Sequence, residues 1–136
     1  MNSISLIFDT LDPNQQKAVT NLTNTVVAAG AGSGKTRVLS ARFLYLLIEK
    51  KIPLDEIYAL TFTQKAATEM YDRIYKNLIE IANSSLSSQT QTLARDALAS
   101  FEQANISTLD SLCNSIARQT CSRYGIAPDF SIDQDQ

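Results

Sequence analysis

Eight consecutive residues, Ala29-Gly30-Ala31-Gly32-Ser33-Gly34-Lys35-Thr36, have the types and spacing needed to grip a phosphate. Three of the chain's four glycines, Gly30, Gly32 and Gly34, fall within five residues of one another. Glycines let the backbone fold so that successive N–H groups point inward at an anion. A helix starting just behind them adds a partial positive charge and free donors. Lys35 would reach the outer phosphates, and the Thr36 hydroxyl would sit on Mg²⁺. The motif is usually written Gly, four residues, Gly-Lys-Ser/Thr. Here its first position is Ala29, and the physical argument survives that change. The expected ligand is a nucleoside triphosphate held by residues 29–36, with Lys35 and Thr36 as the catalytic pair.

Composition excludes several other chemistries. The chain has 136 residues and no histidine, so it offers no His general base, no Ser–His–Asp triad and no His metal site. Two cysteines cannot make a Cys₄ zinc site or a disulfide-rich scaffold. With 44% hydrophobic and 19% charged residues, a folded globular chain is expected rather than a disordered one. The net charge of −2 comes from the last thirteen residues, which carry three acids and no base. A broad basic nucleic-acid footprint is therefore not visible. The N-terminus has no basic stretch followed by a long apolar run, and Phe43 to Ile48 is too short to span a membrane. A cytoplasmic setting without a membrane partner is expected.

The loop must be held between a strand and a helix. Thr25-Val26-Val27-Ala28-Ala29 reads as a short buried strand before it. Lys35 to about Lys50 reads as a helix, apolar nearly all round after Val38. Upstream, Asp12-Pro13-Asn14-Gln15 reads as a helix start, with Asp12 as cap, Pro13 in the first turn and Gln15 completing a capping box. That helix is expected to run to about Leu22. Ile57 to Phe62 is a second apolar strand, and Asn105 to Thr108 a third. Helical spacing recurs from Ala66 to Ile79, from Leu93 to Phe101, and from Leu109 to about Arg123, with Gly125 just past the end. Cys113 and Cys121, eight apart on the last helix, are expected in the core. Alternation of strand and helix predicts an α/β fold with a parallel sheet flanked by helices.

Five segments of the chain resemble, in order and spacing, the N-terminal ATP-binding segment of superfamily 1 DNA helicases of the UvrD/RecB type. Leu11 to Val19 is similar to their glutamine motif, and Ala29 to Leu39 to their phosphate loop. Ala59-Leu60-Thr61-Phe62-Thr63-Gln64-Lys65-Ala66-Ala67-Thr68-Glu69-Met70, ending in Arg73-Ile74, resembles their next motif. Asn105 to Cys113 and Pro128 to Ile132 resemble two later ones. Asp110, where other members usually have His, and the extra helix between Ala82 and Ala104 lean toward the AddA/RecB helicase–nuclease branch. The resemblance implies a partial RecA-like (P-loop NTPase) domain, incomplete in this chain. Its units would be residues 12–52 with the glutamine motif and loop, 53–104 with the second strand and helices, and 105–136 with the third strand, a helix and an acidic tail.

Site roles follow from the resemblance residue by residue. Gln15 would read the adenine edge of ATP, alongside its cap role, and Arg37 would help to hold the nucleotide. Thr61, Phe62, Thr63 and Lys65 would meet single-stranded DNA, with Phe62 stacking on a base and Thr63 bonding a phosphate. From its apolar character alone, Phe62 would be a core residue. Thr108 and Ser111 lie at an equivalent strand end and would add DNA contacts. No apolar strand ending in Asp-Glu is present, and Asp133-Gln134-Asp135 lacks the strand such a motif needs. No second RecA-like domain is recognisable. The chain is thus expected to be the N-terminal piece of an ATP-dependent 3′–5′ helicase of DNA repair or recombination. It would work with the rest of that helicase, including its second RecA-like domain, and with a nuclease partner. Alone it would bind nucleotide weakly and unwind nothing. A stand-alone, non-catalytic nucleotide-binding regulatory module is the alternative. A small kinase is disfavoured, since nothing resembles lid or acceptor-site arginines.

Overall fold

The computed structural model describes residues 7–30 and 32–131. Ala31 and Ile132, with the acidic run at 133–135, lie outside the described residues. The elements in order are helix α1 (Pro13–Thr20), α2 (Lys35–Leu44), a π-helical turn (Tyr45–Glu49), a 3₁₀ turn (Leu54–Glu56), strand β1 (Tyr58–Thr61), α3 (Gln64–Asn83), α4 (Ser88–Ala99), a 3₁₀ turn (Phe101–Gln103), β2 (Asn105–Thr108), α5 (Leu109–Thr120) and a closing 3₁₀ turn (Cys121–Tyr124). β1 and β2 are parallel, in the register Tyr58↔Asn105 to Thr61↔Thr108. The crossover between them carries α3 and α4, as a parallel pair requires. The chain is therefore α/β with a parallel sheet and helices, as expected.

The core lies where α2 and its π turn meet α3 and α4. Ala67, Met70, Ile74, Leu78, Ile81 and Ala82 recur every three or four residues along α3 and are all buried. Most of them pack with Phe43, Leu44, Leu47 and Ile48, which explains the nearly all-apolar second half of that helix. Phe101 is fully buried and meets the rings of Tyr71 and Tyr75, with centroids 4.6 and 5.4 Å away. Truncating such a residue to alanine costs about 3–5 kcal/mol. The helix after residue 35 ends in a tight cap. Ile52 N–H reaches back to the Leu46 carbonyl at 3.0 Å, and Lys51 takes the left-handed conformation (φ 56°) that glycine usually fills.

Three expectations need correction. Residues 25–29 make no strand, and the described sheet has two strands rather than three. Val26 is 97% exposed. A β-branched apolar run favours extended backbone, but a strand also needs a neighbouring edge to bond. β1 and β2 pair with each other, and no described edge reaches this segment. Cys113 is exposed, although Cys121 is buried as expected. The reason is that α5 buries none of its residues, and Leu109 and Ile116 on it stand exposed. Finally, α1 stops at Thr20 rather than Leu22, where the Asn21 N–H closes on the Lys17 carbonyl and the backbone turns extended.

Candidate nucleotide and nucleic-acid sites

The glycine loop is shaped by its own backbone. Gly32 and Gly34 have φ of +75° and +79°, a region that side chains with a Cβ enter at a cost of about 1–2 kcal/mol. The Gly30 carbonyl is the hub of the turn. It accepts the Ser33 hydroxyl at 2.7 Å, the Ser33 N–H at 3.4 Å and Lys35 Nζ at 2.8 Å. Gly34 begins α2, and no side chain caps that end. The first helical bond runs from Val38 N–H to the Gly34 carbonyl, so the N–H groups of Lys35, Thr36 and Arg37 precede the ladder. Ser40 donates to the Thr36 carbonyl at 2.8 Å, and Thr36 lines an opening beside the loop at the helix start. A Cβ added at Gly30 or Gly32 would meet nothing within 4 Å, so the loop stands clear for a ligand.

Two openings flank the loop. One, of about 530 Å³, is lined by residues 32–37 and by Arg73 from α3. Arg37 lines this opening, and its Nε is buried without a hydrogen-bond partner among the described residues. A buried guanidinium nitrogen with nothing to donate to suits an anion. The second opening, of about 650 Å³, lies between the loop and α1 and includes Asp12, Gln15, Ala29, Lys35, Val38 and Arg42 in its walls. These features fit Mg²⁺-ATP: Lys35, Arg37 and Arg73 would supply charge, the α2 end its N–H groups, and Thr36 its hydroxyl.

Gln15 completes the capping box and also touches the loop. Its Oε1 accepts the Asp12 N–H at 3.1 Å, while Asp12 caps Asn14 and Gln15 N–H at 2.8 and 3.0 Å. Its Nε2 donates to the Ser33 carbonyl at 3.1 Å. An amide has two N–H donors and two acceptor lone pairs, so one of each is used and one of each remains. That remaining pair matches the donor and acceptor on the edge of adenine. The cap and the base-reading role are thus compatible in one side chain.

The second candidate region is assembled from distant segments. Thr61 and Thr108 lie side by side at the carboxyl ends of β1 and β2. Each strand leads into a helix capped by threonine: Thr63 Oγ1 accepts Ala66 N–H at 3.2 Å, and Thr108 Oγ1 accepts Ser111 N–H at 3.1 Å. Thr61 donates its hydroxyl to the Thr63 carbonyl at 3.0 Å, which shapes the bend between them. Gln64 Nε2 reaches Ser111 Oγ at 3.4 Å and ties the two helix starts together. A groove of about 890 Å³ runs here, with Phe62, Gln64, Thr108, Ser111, Asn114 and Arg118 among its walls.

The expected DNA residues are not equivalent in this groove. Phe62 is 90% exposed, so it is not part of the described core, and its ring lines the groove. Ser111 is exposed, whereas Thr108 is buried and spent on its cap. Thr61, Thr63 and Lys65 are not part of the wall, and Lys65 stands exposed on the first turn of α3. Sequence reading passed over Gln64, Asn114, Arg73 and Arg118. Arg118 binds the Pro128 and Phe130 carbonyls at 2.7 and 3.2 Å and lies 5.0 Å from the Phe130 ring centroid. It pins the Pro-Asp-Phe segment to α5. Gln64 and Arg73 stand inside a recognised segment without a role of their own, and the Ser111 partner of Gln64 is 47 residues away.

Residues 11–136 match the family described as UvrD/REP helicase N-terminal domain. The chain belongs to this family. Its relatives include three proteins named as ATP-dependent helicase/nuclease subunits, of the AddA type. One, from Streptococcus equi subsp. zooepidemicus (strain H70), is 38% identical over 113 residues, which is 83% of this chain and 9% of the relative. Another, from Streptococcus agalactiae serotype Ia, is 36% identical over 125 residues, 91% of this chain and 10% of the relative. A third, from Lactobacillus delbrueckii subsp. bulgaricus, is 34% identical over 124 residues, 90% of this chain and 10% of the relative. The chain therefore spans about a tenth of the length of the curated relatives it matches. These names agree with the helicase–nuclease lean drawn from Asp110 and the extra helix, which is α4. No described helix is long and apolar enough to cross a membrane.

Proposed function

We propose that this chain is the ATP-binding, N-terminal portion of an ATP-dependent 3′–5′ DNA helicase acting in repair or recombination. The observation that carries the reading is the loop at the start of α2. Two left-handed glycines, an uncapped helix end and Lys35 converge there, with Gln15 hydrogen-bonded to the same loop. In this reading the units are residues 12–52, 53–104 and 105–136 of a partial RecA-like domain. Residues 29–36 hold the phosphates through backbone N–H groups, and Lys35 neutralises the outer ones. Thr36 holds Mg²⁺, which when bound would offset charge on the phosphates. Gln15 reads the adenine, and Arg37 and Arg73 flank the nucleotide.

Single-stranded DNA would lie across the strand ends, with a base on Phe62 and phosphates near Thr63, Lys65 and Ser111. Both α3 and α5 direct their N-termini to that side, and a helix start favours phosphate. Movement along DNA would need a second RecA-like domain closing on the nucleotide, and the relatives' names as subunits favour a partner subunit, with a nuclease as the candidate. The isolated chain should bind ATP weakly and hydrolyse it negligibly, since lacking an arginine finger alone costs ~10³–10⁵ in rate in related enzymes. The test is ATP hydrolysis stimulated by single-stranded DNA, in the helicase carrying this chain, with Lys35→Ala. Loss of turnover with unchanged far-UV circular dichroism is expected, and undiminished turnover would overturn the assignment.

A further inference from the structure

Helix α1 carries Gln15 but is poorly anchored by packing, because Val19 is the one residue of its eight that is buried. Something else must fix it against the loop. Arg42 does so from the last turn of α2. Its Nη1 donates to the carbonyls of Ala18, Val19 and Asn21, at 3.0, 3.1 and 2.6 Å. These are carbonyls at the C-terminal end of α1, which a cation suits. Charge-assisted bonds of this kind are about twice as strong as neutral ones. Arg42 is also seven residues after Lys35, two helical turns along the same face. Lys35, Arg42 and Gln15 accordingly line one cavity. The Ala18 carbonyl that Arg42 holds is one turn from Gln15, whose amide meets Ser33 at 3.1 Å.

We propose that Arg42 is a positioning residue that sets base discrimination by locking α1, and with it the Gln15 amide, at the nucleotide loop. The proposal rests on the reading of Gln15 as the base-contacting residue. Arg42 Nη1 is committed to the α1 carbonyls rather than to the glycine loop. Its removal leaves the glycine loop and Lys35 in place, so it should cost selectivity for adenine rather than grip on phosphate. A purely structural residue would lower every affinity together.

The experiment is displacement of a fluorescent ATP analogue from the helicase carrying this chain by ATP, by GTP and by inorganic tripolyphosphate. Arg42→Met, which keeps the apolar stem, should reduce the preference for ATP over GTP by about fivefold, roughly the worth of one hydrogen bond. Tripolyphosphate affinity should stay within about twofold, since its contacts are to the loop. Gln15→Ala should show the same pattern, and the double variant should lose no more than Gln15→Ala alone, because both act through one amide. Arg42→Lys, which keeps the charge, carries the test if Arg42→Met fails to fold, and should show a partial loss of preference. Unchanged preference in a folded Arg42 variant, additive losses in the double variant, or an equal loss for tripolyphosphate would overturn the proposal while leaving the role of Gln15 intact. An unchanged preference in Gln15→Ala would overturn the base-reading role of Gln15, and the proposal with it.

Discussion

The glycine loop and the paired strand ends both face outward from helix starts, yet they are built in opposite ways. The loop is one contiguous stretch whose N–H groups precede the α2 ladder, with two glycines in left-handed geometry and the Lys35 side chain folded onto the Gly30 carbonyl. The strand ends come from segments 47 residues apart, joined by the Thr61↔Thr108 register and by the Gln64–Ser111 hydrogen bond. They offer side chains, chiefly the bare ring of Phe62. A backbone site tolerates most side-chain changes but not a change in its φ angles. A side-chain site should respond residue by residue.

This contrast can be broken by substitution. Lys35→Ala should lower DNA-stimulated ATP hydrolysis by at least ~10²-fold, the usual worth of a preorganised charge-stabilising donor. Stability should be little changed, because Lys35 is exposed. Phe62→Ala should weaken binding to single-stranded oligonucleotide by about 1–3 kcal/mol, with the melting temperature unaltered. A drop in stability with intact DNA affinity would contradict the exposed placement. Gly32→Ala should cost about 1–2 kcal/mol in thermal or denaturant unfolding, from its φ of +75°, and should weaken ATP binding as well. Thr108→Ala should cost about 0.5–2 kcal/mol of stability through the lost cap on α5. It should leave ATP affinity unchanged and alter DNA affinity only through the position of Ser111.

What was legible in the sequence follows the same division. The capping box of Asp12 and Gln15, the glycine-rich turn, strand β2 and most of the buried stripe of α3 were readable, because each depends on residues close in sequence; Ile79, read into that stripe, is exposed, and Ile81 and Ala82 are buried instead. The left-handed Gly125 after the last helical turn was readable for the same reason. Residues 25–29 were misread because strand propensity does not supply the neighbouring edge that a ladder needs. Cys113 was misread because helical periodicity says which face is apolar but not whether anything covers it. Arg42, Arg73 and Arg118 were missed or passed over. An arginine on a helix reads as solvated until the carbonyls, loop or ring opposite it are known.

The central claim is that backbone N–H groups of the glycine loop hold the phosphates. The most direct measurement is a titration of Mg²⁺-ATP into the isotopically labelled chain, followed through its backbone amide resonances. The account predicts that the amides of Gly32, Ser33, Gly34, Lys35 and Thr36 shift most, and that those around Phe62 and Ser111 stay in place. Saturating shifts confined to residues away from the loop, or no loop shift at millimolar ATP, would contradict it.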